Sequence, residues 1–252
     1  MTLAPRIRLG PALAAVYEGQ LARARVARVP LLFVACLQSI GLLVLLRGVV
    51  DDARVSEKQQ IVAGATVLVV AFVALNLLAQ RFGHLRAHGG LDHYAALGTP
   101  PAAVVLGCAA SYATFAVPGT VVTAVTGALL YDLPLGRLWV LAPVAVLGGA
   151  ALAGVGAAIG LLAPKPELAT VLGQLGMTAV LFLGLVRPAR MPVAVRPVLA
   201  VVPSTYAVNA LRESFAPVPR WGFVGANLAG CAVVAVVALA VAGAAFRRAV
   251  RR

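Results

Sequence analysis

The sequence has few charged residues, and those it has are clustered. Asp, Glu, Lys and Arg make up 12% of the 252 residues, against roughly 25% in soluble domains, and 62% of the residues are apolar. Six stretches of 18 to 29 residues contain no charged residue at all. Because about 20 apolar residues in a helix cross the roughly 30 Å hydrocarbon layer, this composition excludes a soluble protein and predicts an all-α membrane protein with six transmembrane helices.

Motifs for ATP binding and hydrolytic catalysis are missing. A P-loop needs a lysine after glycine, but Lys58 follows Glu57 and Lys165 follows Pro164. The sequence has no His-Glu-x-x-His and no Gly-x-Ser-x-Gly, and no carboxylate lies within a predicted span. We therefore expect neither an enzyme nor a self-powered pump, and no cofactor on this chain. Proton relays usually need carboxylates or histidines inside spans, so a proton-coupled carrier is also disfavoured.

Cysteine is scarce, and its positions indicate no bound metal or disulfide framework. The odd set Cys36, Cys108 and Cys231 falls in apolar stretches, without a Cys or His at metal-ligand spacing, as is typical of buried, unreactive thiols. Three histidines do have a spacing that a metal would accept, but they stand on a short polar connector where surface positions are the commoner explanation. They are His84, His88 and His93.

The boundaries of the charge-free stretches predict a single transmembrane domain. The predicted spans are 29–46, 61–80, 102–130, 138–163, 168–186 and 222–246. We expect no removable signal peptide. Residues 11–28 predict an amphipathic helix in the membrane interface before the first span. The proline-rich segment 187–221 is apolar in the middle but too short to cross, which predicts a re-entrant or interfacial helical segment before the last span.

The basic residues favour cytoplasmic termini. Of the 21 Lys and Arg, 12 fall on the side of the termini and nine on the other side. The net charge of +13 is explained by basic flanks of membrane helices, so nucleic-acid binding is not expected. The abundance of Arg over Lys, together with Ala, Val and Gly, suggests a GC-rich bacterium, and hence its cell membrane.

Neutral polar residues within the spans are candidates for lining a substrate cavity. Such groups suit an apolar or amphipathic molecule, but they also serve as hydrogen bonds between helices, and both interpretations remain open. The candidates are Gln38, Asn76, Tyr112, Gln174 and Asn227. The glycines Gly154, Gly156 and Gly160 resemble a dinucleotide fingerprint, but within an apolar span close helix packing explains them better.

The connector between the second and third spans is unusually polar. Its sequence is RFGHLRAHGGLDHYAALGT, from Arg81 to Thr99, and it combines charges with Leu85, Leu91 and Tyr94 in a short helical pattern. Most short connectors need only about two to eight residues. This pattern favours contact with a soluble partner.

The whole arrangement resembles the permease subunits of type-2 ATP-binding-cassette exporters, which include drug, antibiotic and polysaccharide exporters. The resemblance rests on the segment before the first span, the basic glycine-containing loop at Arg81 to Gly107, and VVPSTYAVNALRESF at Val201 to Phe215. The last of these is similar to the family's Pro-x-x-Tyr-x-x-x-x-Leu-Arg stretch. Where the family's loop often begins with an acidic residue, this sequence has Gln80 and Arg81.

The resemblance implies partners and roles that the composition does not. It implies a second permease, identical or homologous, a separate ATPase that carries ATP and Mg²⁺, and a path beside the first, second and fifth spans. It also implies that the loop after the second span docks on the ATPase together with the interfacial helix. The matching positions are Arg86, Asp92, His93 and Tyr94 in the loop, with Glu18 and Arg25 on the helix.

These features predict an exporter permease that moves a large apolar or amphipathic compound from the cytoplasm or inner leaflet. Two other functions stay open at this point. One is a membrane-embedded assembly or regulatory subunit that transports nothing, and the other is a secondary carrier that is not coupled to protons. A membrane enzyme is the remaining and weakest alternative.

Overall fold

The computed structural model describes residues 8–23, 28–49, 54–185 and 202–250, and this part of the chain is helical, without strands. Ten α-helices are described: α1 Leu9–Arg23, α2 Arg28–Val49, α3 Val55–Ala71, α4 Leu78–Ala87, α5 Gly90–Ala96, α6 Pro101–Leu130, α7 Leu141–Leu162, α8 Pro166–Leu185, α9 Pro203–Ser214 and α10 Trp221–Val250. A π-helical turn, Phe72–Leu77, joins α3 to α4, and a 3₁₀ helix, Leu135–Val140, precedes α7. The predicted all-α membrane fold is confirmed.

Five described helical stretches are long and apolar enough to cross a membrane. They are Val55–Ala87, Pro101–Leu130, Leu135–Leu162, Pro166–Gly184 and Trp221–Val250, and they correspond to the second through sixth predicted spans. The first predicted span corresponds to a shorter apolar run, Phe33–Gly48, within α2. Val55–Ala87, which corresponds to the second predicted span, extends beyond the predicted 61–80 at both ends. Charged residues such as Glu57 and Arg86 continue this helix past its apolar part.

The continuous stretch α3, π turn and α4 is the centre of the bundle. Every residue of 59–71 is buried, and α3 packs against α2, α6, α7, α8 and α9. A helix that is apolar on all sides belongs in the interior of a bundle, and this one contains Val, Leu and Ala with scarcely a polar interruption. We call the Val55–Ala87 stretch the central helix.

Glycines on α7 let it approach the central helix at backbone distance. A Cβ on Gly156 would collide with the carbonyl oxygen of Leu75 and lie 2.9 Å from its Cα. A Cβ on Gly160 would collide with the carbonyl oxygen of Ala79, and one on Gly154 would lie 2.7 Å from Cβ of Ala238 on α10. The interpretation of these glycines as packing residues is confirmed, since small residues allow close helix contact without any bound nucleotide.

The end of the bundle that carries α9 is fixed by polar side chains bound to backbone carbonyls. Gln59 donates to the carbonyl of Phe215 at 2.9 Å, and Gln60 donates to that of Gly184 at 2.7 Å. Arg137 donates to the carbonyls of Ser214, Ala216 and Pro217. Carbonyls after a helix end lack helical partners, so these donors stabilise an irregular turn close to the apolar layer. Helix α9 lies in the second half of the predicted re-entrant segment, and 186–201 fall outside the described residues.

An ion pair closes the same turn. Arg220 Nε donates to Glu213 Oε1 at 2.8 Å, and Arg220 Nη2 donates to Oε2 at 3.3 Å. The hydrogen bonds from Arg220 hold the pKa of the Glu213 carboxyl below its ordinary value, although burial opposes this shift. A carboxyl whose native pKa is lowered stabilises the fold above its ordinary pKa, and this contribution is lost as the pH falls through the native value.

We therefore expect Glu213→Gln to weaken the acid sensitivity of the purified protein. The wild-type Tm should exceed that of the variant at neutral pH, and the difference should shrink below about pH 4.5 as Glu213 becomes protonated. Thermal unfolding in a non-ionic detergent, at pH values from about 7 to about 3, measures this difference in Tm. Glu18→Gln, which removes an exposed carboxylate from α1, should follow the wild-type curve. A pH-independent difference between wild type and Glu213→Gln would contradict the prediction.

Candidate functional site

A polar cluster lies inside the bundle where the π turn meets α8. Asn76 is the fifth residue of the π turn and is 2% exposed. Its Nδ2 donates to Gln174 Oε1 at 3.3 Å, and its Oδ1 accepts from Gln80 Nε2 at 3.1 Å. We call Asn76, Gln80 and Gln174 the Asn76 network. It joins the second and fifth predicted spans in the middle of apolar surroundings.

The Asn76 network depends on a close approach between α8 and the central helix. A Cβ on Gly173 would lie 3.0 Å from Asn76 Oδ1 and 3.2 Å from Cβ of Ala79. Gln174 itself is exposed on the outer face of α8, so the network extends from the interior of this chain to its surface. π-Helical turns within α-helices often occur at functional sites. The sequence singled out Asn76 and Gln174, but no signal in it indicated the π turn or the contribution of Gly173.

The other predicted cavity residues lie apart from this network. Gln38 is exposed on α2, and Asn227 is buried on α10, where its Nδ2 donates to the carbonyl of Phe223 in its own helix at 2.8 Å. Tyr112 is partly buried on α6 and lines a different cavity, next to Arg81. The structure thus brings together two of the five candidates, Asn76 and Gln174.

The turn between α4 and α5 is anchored to the end of α7. Arg86 Nη1 donates to the carbonyl of Leu161 at 2.7 Å and to that of Ala163 at 2.8 Å. These carbonyls stand at the C-terminal end of α7, where helical partners are missing and a cation is favourable. Gly89 follows with a φ of +68°, a left-handed conformation that lets the chain reverse into α5. Arg86 therefore holds the central helix to the connector that begins α8.

Helix α5 has polar side chains on its exposed surface and is joined to α1 by a hydrogen bond. Asp92 and His93 are exposed, whereas Leu91 is buried beneath the helix. The Tyr94 hydroxyl accepts a hydrogen bond from Gln20 Nε2 of α1 at 3.2 Å. The structure thus brings α1, which is the predicted interfacial helix, and the loop after the second predicted span into direct contact. We call α5 and its two anchors, Arg86 and Tyr94, the α5 corner.

Helix α1 lies against the first half of α6. A Cβ on Gly107 would lie 2.9 Å from Val16 and 3.1 Å from the carbonyl oxygen of Leu13, so glycine is needed where the two helices cross. Glu18 is exposed on the outer side of α1. Arg25, the other residue predicted to lie near an ATPase on this helix, falls outside the described residues.

Within the described ranges, no three His, Cys, Asp or Glu side chains are close enough to hold a metal ion. His84 and His88 stack with their ring centroids 5.4 Å apart, and His88 Nδ1 lies 2.9 Å from the carbonyl oxygen of His84. His93 instead meets the ring of Tyr94 edge to face, with centroids 6.2 Å apart. The three histidines therefore separate into two groups on different helices.

Comparison with known proteins identifies one family. The model of the ABC-2 type transporter family matches residues 19–216, which is well over half of the chain. The match begins within α1, covers the central helix and the α5 corner, and ends just after α9. No curated protein matches the chain.

Proposed function

Since this chain belongs to the ABC-2 type transporter family, and is thus the membrane-spanning permease of an ABC-type transporter, we propose that it is the permease subunit of an ATP-driven exporter. Membrane domains of this family work with ATP-binding-cassette partners. In this proposal a separate ATPase binds ATP and Mg²⁺, and two permeases, identical or homologous, enclose the path. The cargo is an apolar or amphipathic compound, such as a drug, an antibiotic or a lipid-like molecule, and the membrane is a bacterial cell membrane.

The observation that carries this proposal is the α5 corner. It combines an exposed polar face, formed by Asp92 and His93, with anchors to α1 and to the end of α7. Because α4 continues into the π turn without a break, a displacement of α5 acts directly on the helix that holds Asn76. The corner thus offers a docking face for a soluble subunit and a rigid connection from that face to the interior.

The path is proposed to lie along the outer faces of α2 and α8, which flank α3. Both helices pack on α3 and expose large apolar side chains, including Phe33 and Leu37 on α2 and Leu175 and Phe182 on α8. Gln38 and Gln174 are exposed on these same helices. An apolar surface with isolated amides suits an amphipathic cargo, and the predicted spans on α2 and α8 carry no charge that could serve as a counter-ion to a small inorganic ion.

We expect ATP to change the water accessibility of position 174 when the ATPase is present. In a background with Cys36, Cys108 and Cys231 replaced by Ala, Gln174→Cys should react with a charged thiol reagent about tenfold faster than Leu172→Cys, because a thiol reacts as the thiolate and needs water. Leu172 is the matched control, since it is exposed on α8 but lines an apolar groove with α10. The rate at position 174 should change on addition of ATP only in the complex.

Three outcomes would contradict this function. Equal reaction rates at positions 174 and 172 would show that the path does not lie on this face of α8. An ATP effect in the permease alone would show that the response needs no partner. The absence of an ATP effect in the complex with its ATPase would favour a subunit that does not transport, and none of these results would affect the family membership.

We further propose that the α5 end of the bundle faces the cytoplasm, together with both termini, as the excess of basic residues favours. In the same cysteine-free background, an impermeant thiol reagent applied to intact cells should label Ser56→Cys at the opposite end of the central helix. It should not label Ala87→Cys until the cells are opened. Both positions are accessible to solvent in the structure, so the reverse pattern would refute this orientation rather than reflect burial.

A further inference from the structure

A cavity opens beside the α5 corner, and Gln80 is the one lining residue that it shares with the Asn76 network. It has a volume of about 570 Å³, within the range of small-molecule sites. Its walls come from the end of the central helix, from α5 and from α6, and its lining residues are Leu77, Gln80, Arg81, His84, Leu85, His88, Gly90 and Tyr112. We call it the Arg81 cavity. No carboxylate is among the described residues that line it.

Arg81 lacks partners in this cavity. Its Nε and Nη2 atoms are both buried, and neither has a hydrogen-bond partner within the part of the chain that the structure describes. A buried guanidinium without an acceptor is costly, because the charged donors have lost water and gained nothing in exchange. By contrast Arg86, one turn further on, uses its donors on two carbonyls. An anionic acceptor that enters the cavity would satisfy Arg81.

The cavity lies across the boundary between the apolar and polar parts of the chain. Leu77 and Tyr112 lie within charge-free predicted spans, whereas Arg81, His84 and His88 follow the second of these spans and the two histidines are exposed. An occupant therefore meets a cation and polar groups on one side and apolar walls on the other. A carboxylate on a soluble subunit would leave the apolar walls of the cavity uncovered, whereas a lipid brings its charged group to Arg81 and covers those walls with its chains.

We propose that the Arg81 cavity binds the phosphate headgroup of an anionic membrane lipid. The phosphate oxygens accept from the Arg81 guanidinium, whose planar set of donors matches a phosphate, and the apolar side of the cavity contacts the first part of the lipid chains. The site needs neither ATP nor cargo, so it stands independently of the transport function. Its position against α5 makes the lipid a structural part of the α5 corner.

The test compares wild type, Arg81→Gln and Arg81→Lys as full-length proteins in a non-ionic detergent. Each protein is tested with added phosphatidylglycerol, phosphatidylcholine or inorganic phosphate. Native mass spectrometry measures lipid affinity, and thermal unfolding measures stabilisation. Wild type should bind phosphatidylglycerol in preference to phosphatidylcholine, and Arg81→Gln should lose about tenfold or more in affinity for phosphatidylglycerol, as expected for the loss of a charge-assisted hydrogen bond. Arg81→Lys keeps the charge without the planar donors and should be intermediate.

A second expected result does not depend on binding. In detergent without lipid, Arg81→Gln should have a higher Tm than wild type, since it removes a partly buried guanidinium of which two buried nitrogens have no partner. Phosphatidylglycerol should raise the Tm of wild type and abolish this difference. The control Arg248→Gln removes an exposed charge from the same end of the bundle and should change neither lipid preference nor Tm.

Four outcomes would overturn the proposal. Equal binding of the two lipids by wild type, or unchanged phosphatidylglycerol affinity in Arg81→Gln, would exclude a lipid phosphate at Arg81. The same stabilisation by inorganic phosphate alone would make the cavity a site for free anions. Stabilisation of wild type but not Arg81→Gln by the ATPase subunit, without any effect of lipid, would mean that a protein group fills the cavity.

Discussion

Gly156→Leu should prevent recovery of folded protein. A Cβ at this position meets the Leu75 carbonyl oxygen, lies 2.9 Å from Leu75 Cα and lies 3.0 Å from the Ala74 carbonyl oxygen, and all three are backbone atoms of the central helix. Side chains can change rotamer, but the backbone of the π turn packs against α6, α7 and α8 and cannot easily move away. Overpacking usually costs about 1 to 3 kcal/mol, and a clash with fixed backbone belongs at or above the upper end.

The comparison that isolates this effect is a glycine in an open position. A Cβ on Gly225, which is exposed on α10, has no atom within 4 Å. Gly225→Leu should therefore give a normal yield of folded protein on size-exclusion chromatography. Gly225→Ala should raise the free energy of unfolding by up to about 1 kcal/mol, because alanine has a higher helix propensity than glycine. Gly156→Ala should already lower the Tm. A normal yield and Tm for Gly156→Leu would show that α7 does not pack on the central helix in this way.

The packing glycines illustrate how much the sequence could predict. The length of each charge-free stretch predicts which segments cross the membrane, because burying a charge in lipid costs much free energy. This prediction needs only the composition of the stretch. Small residues repeated along an apolar span indicate a close crossing, and Gly154, Gly156 and Gly160 make one. The pattern does not indicate which helix each glycine packs against. Gly156 meets the central helix and Gly154 meets α10, and nothing local to α7 distinguishes these two neighbours.

The contacts within the candidate functional site could not be predicted from the sequence for the same reason. Asn76 and Gln174 were identified as polar residues in apolar spans, but they are 98 residues apart and their pairing follows from how α8 crosses the central helix. Arg86 is similar, because its acceptors near residue 161 come from a helix end that lies 75 residues away. The π turn has no sequence signature of its own. Long-range contacts of this kind depend on the whole arrangement of helices, and the proposed roles of these residues remain predictions.

In the proposed function, the α5 corner transmits the motion of a docked ATPase to the central helix. Leu91 is buried below α5, the Tyr94 hydroxyl joins α5 to α1, and Arg86 joins the adjoining turn to the end of α7. These attachments favour movement of α5 together with the central helix instead of as a flexible loop. Loss of the exposed contacts should weaken docking, whereas loss of an attachment should remove transmission while docking persists.

Replacing Asp92 and Tyr94 together by Ala should abolish transport while the permease stays folded. Asp92 is exposed and Tyr94 makes one interhelical hydrogen bond, worth about 0.6 kcal/mol on average in membrane proteins, so the loss of stability should be small. When enough ATPase is added to offset the weaker docking caused by the loss of Asp92, the assembled complex should still hydrolyse ATP but no longer move cargo, because the ATPase cycle has lost its connection to the central helix. Cargo efflux from proteoliposomes, measured beside phosphate release, separates the two activities.

Single variants assign the effect to its cause. Tyr94→Phe and Gln20→Leu each remove the hydrogen bond from one side, so both should reduce the ratio of transport to hydrolysis to a similar extent and leave binding of the ATPase unchanged. Asp92→Ala alone should instead weaken that binding. Glu167→Ala removes an exposed carboxylate at the start of α8, at the same end of the bundle, and should leave both activities at the wild-type level. Unchanged transport in the double variant, with a normal complex, would exclude α5 from coupling, because no other described part of the α5 corner presents an exposed acidic group to a soluble partner.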